Sequence, residues 1–162
     1  MRRISPLLPF AALFALTACG GGDAEPADAM MDMEPPEMES ASKAPPPGAM
    51  VHIASPANGA EITGSSVTVT LEAMALPLAP GGAFLEGTGH HHLFLDADVT
   101  QSGLPIPSGA SGIVHLGQMQ TEHTFTDLTP GEHLITAVMA DGLHFPFDPP
   151  VMTSITITVV AG

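Results

Sequence analysis

The chain has 162 residues, with 17 acidic side chains against 3 lysines and arginines and a formal net charge of −14 with histidine neutral. No lysine or arginine follows Lys43, so nucleic acid and phosphate-bearing ligands meet a repulsive surface without a cationic partner, and those functions are set aside. Tryptophan and tyrosine are absent, removing the usual aromatic platform for carbohydrate, and the single cysteine permits neither an internal disulfide nor a thiolate metal cluster.

Residues 1–18 run from a basic start with Arg2 and Arg3, through the apolar stretch PLLPFAALFAL, to small residues before Cys19. That order predicts an export signal. Its apolar run of roughly a dozen residues is well short of the ~20 that a spanning helix needs. Leu16-Thr17-Ala18-Cys19 resembles the lipobox of bacterial lipoproteins. The resemblance implies cleavage before Cys19, a diacylglyceryl group on its thiol and usually an acylated new amino terminus. Several acyl chains hold a protein far more firmly than one, at ~0.8 kcal/mol per buried CH₂. Gly20 stands where retained lipoproteins carry aspartate, which points to the periplasmic face of an outer membrane. Residues 19–48 are acidic, small and proline-rich, with seven carboxylates between Gly20 and Gly48. They read as a disordered tether, stiffened at Pro45-Pro46-Pro47. Met30, Met31, Met33 and Met38 offer thioethers that suit Cu(I), although methionines in a linker of biased composition are more often incidental.

Residues 50–162 read as one all-β domain, an immunoglobulin-like antiparallel β-sandwich, with a jelly roll or small barrel as the alternative. A short strand at 50–54 opens it. Ser66–Ala73 places Val67, Val69, Leu71 and Ala73 on one face and Thr68, Thr70 and Glu72 on the other. Strands follow at 91–97, 121–128 and 133–140, and the last, at 154–159, repeats the alternation with Ile155, Ile157 and Val159. Turns fall at Ser55-Pro56, Asn58-Gly59, Pro80-Gly81-Gly82, Pro130-Gly131 and Asp141-Gly142.

Seven of the eight histidines lie between His90 and His144. In an extended GHHHLFLD segment, His90, His92, Phe94 and Asp96 share one face and His91, Leu93 and Leu95 the other, the leucines facing the core. His90 and His92 would then stand ~7 Å apart along the strand and meet on one ion only by leaning together. Imidazole suits copper, zinc and nickel, so His90, His92, His115 and His144 form the proposed ligand set, with Asp96 and Asp148 as carboxylates that orient the rings. The rival reading makes the same histidines a hydrogen-bonded network in a structural or adhesive accessory module. No H-E-x-x-H motif is present, and Ser102, Ser108 and Ser111 lie in a Gly/Pro-shaped loop without a nucleophile elbow. A hydrolase is the least supported class, and the expectation is a non-enzymatic module.

GHHHLFLD at 89–96, LPIP at 104–107, HLGQMQTE at 115–122, LTPGEHLITAVMAD at 128–141 and HFPFDPPVMTSITITV at 144–159 together resemble the bacterial domain-of-unknown-function family numbered 4399, DUF4399. The resemblance covers the C-terminal two-thirds of the domain. It implies an exported, histidine-containing module without established catalytic activity, with His90, His91, His92, His115 and His144 at the family's histidine positions and Asp148-Pro149-Pro150 at its DPP turn. Many relatives read H-x-P-H before that turn, whereas here the second histidine is Phe147. The expectation is therefore a lipid-anchored envelope protein that binds a divalent transition metal or an envelope partner protein, and does not bind nucleic acid.

Overall fold

Alternation of apolar and polar side chains appears where only one sheet face is covered. In a computed structural model, which describes residues 42–162, Val67, Val69 and Leu71 of Val67–Met74 turn inward while their neighbours face out. Eight strands form: β1 (Met50–Ser55), β2 (Ala60–Thr63), β3 (Val67–Met74), β4 (His90–Leu95), β5 (Ile113–Leu116), β6 (Glu122–Phe125), β7 (Gly131–Ala140) and β8 (Met152–Val160). No described helix is long and apolar enough to cross a membrane.

The strands make two sheets, ordered β1-β3-β6 and β2-β8-β7-β4-β5. The first edge is shared between them, since β1 pairs antiparallel with β3 while β2 pairs parallel with β8. This is an all-β immunoglobulin-like sandwich. Its core lies between the sheets, where Val69, Leu93, Ile135 and Ile157 are fully buried. Each such aliphatic side chain contributes ~1.5–3 kcal/mol when removed from water.

Two strands absent from the sequence expectation, β2 and β5, are four residues long, too short for alternation to register. The expected Asn58-Gly59 turn pins β2 beside β8: Asn58 Oδ1 accepts from Thr156 N at 2.8 Å, and Gly59 N donates to Thr156 O at 2.7 Å.

Strands β4 and β7 are buried on both faces. Leu93, Ala137 and Met139 face the three-stranded sheet, while Phe94, Val138 and Ala140 join Ile106 in a second cluster on the outer face. Three connections cover that face. The β3–β4 segment is tied by Gly81 N to Gly117 O (2.9 Å) and Gly82 N to Gly142 O (2.7 Å). The β4–β5 loop is tied by Ile106 N to His144 O (2.8 Å), and the β7–β8 turn by Ala140 pairing with Pro146. Residues 42 and 43, expected in the tether, bind this layer: Gly103 N donates to Ser42 Oγ at 2.6 Å and Asp148 N to Lys43 O at 2.9 Å. Cys19 and Met30 to Met38 lie outside the described residues.

Candidate metal centre

The site is built on the outer face of the five-stranded sheet rather than at an end of the sandwich. His90 and His92 are two residues apart on β4 and so point the same way. Pairing with β5 sets His115 directly opposite His92. His144 arrives from the β7–β8 turn with a positive φ of 72°. That turn is organised by Asp141, whose Oδ1 accepts from Leu143 N at 2.9 Å and Phe145 N at 3.0 Å. The backbone closes it further, with His144 N donating to Asp141 O at 2.9 Å.

One ring nitrogen from each of His90, His92, His115 and His144 falls within 4.8 Å of all the others. His92 Nε2 is 3.0 Å from His90 Nε2, and His144 Nε2 is 3.2 Å from His115 Nε2. The lean required of the β4 pair is present, with their ring centroids 4.8 Å apart. Four nitrogens at ~2.1 Å from one ion stand ~3.3 Å apart in a tetrahedron and ~3 or ~4.2 Å apart in a square plane. The 3.0 and 3.2 Å contacts match neighbouring ligands of such a sphere, and the 4.8 Å limit on the widest pair requires only a small closure onto an ion.

Burial is graded across the cluster: His90 and His92 are buried, His144 is half-buried and His115 is exposed. Desolvation first, then the fields of His115, His144 and His91, lower His90 to about 4. Desolvation and the fields of His90, His115, His144 and His91 lower His92 to about 2. Desolvation, followed by His144, also lowers His115. These rings therefore present neutral nitrogen at neutral pH, the form a metal requires.

Glycines close one side. A Cβ at Gly81 would stand 3.1 Å from His115 Nε2, 3.2 Å from His90 Cε1 and 3.3 Å from His144 Nε2, and one at Gly117 would overlap the His115 ring. The opposite side opens into a pocket of about 130 Å³ lined by His92, His115, His144, Pro105, Ile106, Pro107, Ser108 and Leu143.

The two carboxylates expected to orient the rings are engaged elsewhere. Asp96 turns out of β4 with φ 51°, accepts from His133 Nδ1 at 2.6 Å and from Leu134 N at 2.8 Å. Asp148 is exposed and binds the leading segment through its backbone. Asp141, Gly81 and Gly117 take the supporting places instead. Their only sequence signals are the turn pairs Asp141-Gly142 and Gly81-Gly82 and the glycine two residues after His115.

His91 and His133 serve separate local contacts. His91 faces the other way and binds the Gln120 carbonyl through Nδ1 at 3.1 Å. His133 satisfies both nitrogens, Nδ1 with Asp96 and Nε2 with Thr129 O at 2.8 Å. Among the expected loop serines, Ser102 Oγ donates to Phe147 O at 3.1 Å, while Ser108 borders the pocket.

The family model described as "Domain of unknown function (DUF4399)" matches residues 67–160, which include all four clustered histidines. The chain belongs to that family. The DUF4399 domain has no match among curated proteins. Among solved structures, fibronectin(III)-like modules of Clostridium thermocellum CbhA are 15% identical, with 70% of this chain and 99% of that chain covered at a TM-score of 0.42. The PKD domain of human KIAA0319 is 12% identical, with 88% and 94% covered and a TM-score of 0.39. An engineered protein is 13% identical at a TM-score of 0.42, with 71% of this chain and only 21% of that longer chain covered.

Proposed function

We propose that this DUF4399 protein is a lipid-anchored, non-enzymatic module of the cell envelope whose four-histidine centre binds one transition-metal ion, copper, zinc or nickel. The observation that carries the reading is the convergence of four ring nitrogens within 4.8 Å from β4, β5 and the β7–β8 turn. Neutral imidazoles without a thiolate suit these three metals, and copper(II) binds tightest of them in the general affinity order. The anchoring rests on the lipobox-like Leu16–Cys19.

The rival, a hydrogen-bonding network, is supported by the 3.0 Å and 3.2 Å pairs. The other ring nitrogens do not decide between the two readings. His133 shows what a structural histidine achieves here, with both nitrogens partnered. By contrast, Nδ1 of His90 and of His92 are buried with no partner among the described residues. His91 leaves its Nε2 in the same state, and an ion held by the Nε2 atoms would leave both Nδ1 atoms as they are, so the four-nitrogen convergence alone carries the choice.

Metal content of the full chain, purified without chelators and then offered copper, zinc or nickel before excess is removed, tests the proposal. It requires about one equivalent, lost when His90 and His92 become alanine; less than about a tenth of an equivalent in the wild type refutes it. Fractionation of a Cys19→Ser variant checks the anchor, which is expected to leave the membrane fraction.

A further inference from the structure

Four protein ligands close a tetrahedral zinc site but leave axial positions on a tetragonal copper(II) or nickel(II), and the way this sphere is walled decides what can reach them. On one side the Gly81 backbone presses against three of the four rings, with a Cβ position only 3.1–3.3 Å from their atoms. Below lies the sheet, where His90 and His92 are buried. On the remaining side, His92, His115 and His144 form one wall of the 130 Å³ pocket, faced by Pro105, Ile106, Pro107 and Leu143, with Ser108 as a polar group at its border.

We infer that this pocket is the entry and binding site for a small exogenous ligand of the metal, a neutral or singly charged anionic molecule of a few heavy atoms. The inference rests on the metal-binding reading and adds to it an open coordination position with a shaped approach. The size limit follows from volume, since a cavity of about 150 Å³ takes a molecule no larger than benzene. The charge limit follows from its lining. No acidic residue borders it to repel an anion, and no lysine or arginine borders it to neutralise one. The metal therefore supplies the only compensating charge, and the domain's ten acidic residues, with Lys43 as the single described cation, disfavour multiply charged anions. The apolar wall supplies a poorly hydrated approach in which the metal's attraction for such a ligand is strengthened.

Azide titration of the copper(II)-loaded full chain, followed by absorption and electron paramagnetic resonance, tests the assignment. Metal content is measured on the same samples. The expected result is a saturating azide-to-copper charge-transfer band with an altered resonance spectrum. In Ser108→Trp, which fills the pocket from a residue outside the ligand set, about one equivalent of copper is expected to remain while azide affinity falls at least ~10-fold. A loaded wild type that shows no azide response overturns this inference and leaves the metal site standing. Equal azide binding by wild type and Ser108→Trp overturns the pocket as the route. Failure to load copper, zinc or nickel overturns both readings.

Discussion

Replacing His90 and His92 together by leucine separates a histidine cluster kept for binding from one kept for stability. Both rings are fully buried, their Nε2 atoms share one 3.0 Å contact, and both Nδ1 atoms lack a partner among the described residues. Each unsatisfied buried polar group costs ~1–3 kcal/mol, whereas the shared hydrogen bond contributes ~1 kcal/mol. Removing both partners at once leaves no orphan from that bond. Against the gain stands a repacking cost of ~1–3 kcal/mol where leucine does not match the imidazole's shape. At the middle of these ranges the metal-free double variant is expected to be more stable than wild type by ~1 kcal/mol. At ~3–6 °C per kcal/mol for a domain of this size, its Tm should rise by about 3–6 °C. With metal present the order reverses, because an ion at ~100 times Kd adds ~2.7 kcal/mol to the wild type alone. Urea unfolding near neutral pH, in chelator and in copper or zinc, reads both comparisons. A metal-free variant destabilised by more than ~1 kcal/mol, with no effect of metal on the wild type, would refute the reasoning and favour the structural network.

The remaining predictions use the same geometry. Because His90 is held near 4 and His92 near 2, both stay mostly neutral at about pH 5, where an ordinary imidazole is roughly 97% protonated. Metal loss followed by dialysis against graded buffers should therefore be centred below the ordinary imidazole value of ~6.5; loss centred near pH 6.5 would contradict the lowered values. The same shifts mean that the unfolded chain binds more protons between about pH 4 and 6.5, so metal-free stability should fall as pH drops through that window. His133 has the opposite sign: the Thr129 carbonyl and Asp96 raise it, so its contribution is full below about pH 6.5 and lost as pH rises through its folded value. His133→Gln should consequently destabilise more at pH ~5.5 than at pH ~8 in urea unfolding, and equal losses would count against the Asp96 pairing. Gly117→Ala should displace His115 and weaken metal binding by about 10²-fold, one ligand's share of a four-ligand site, as read by competition with a chelator. Asp141→Ala should cost ~2 kcal/mol and loosen His144, with partial rescue in Asp141→Asn, which retains an acceptor for the Leu143 and Phe145 amides.

The architecture was legible where chemistry repeats along the chain. Strands with one covered face, β3 and β8, announce themselves by period two, and the glycine, proline and asparagine turns mark their ends. Part of the histidine cluster was legible for a related reason: His90 and His92 stand two apart in an extended segment, so any strand there presents both rings on one side. The local sequence around Asp96 resembled support for those rings, but a left-handed turn at that residue carries its carboxylate to His133.

What the chain decides locally is therefore the all-β pattern, the acidic surface and the histidines' common face; what only the tertiary structure decides is where that face meets its partners. Register pairing across β4 and β5 sets His115 opposite His92, although they are separated by a long loop in sequence. The Asp141 turn delivers His144, and Gly81 and Gly117 leave room that any side chain would fill. Each of these depends on backbone positions fixed by packing among distant segments, and such convergence leaves no periodic trace in a single sequence.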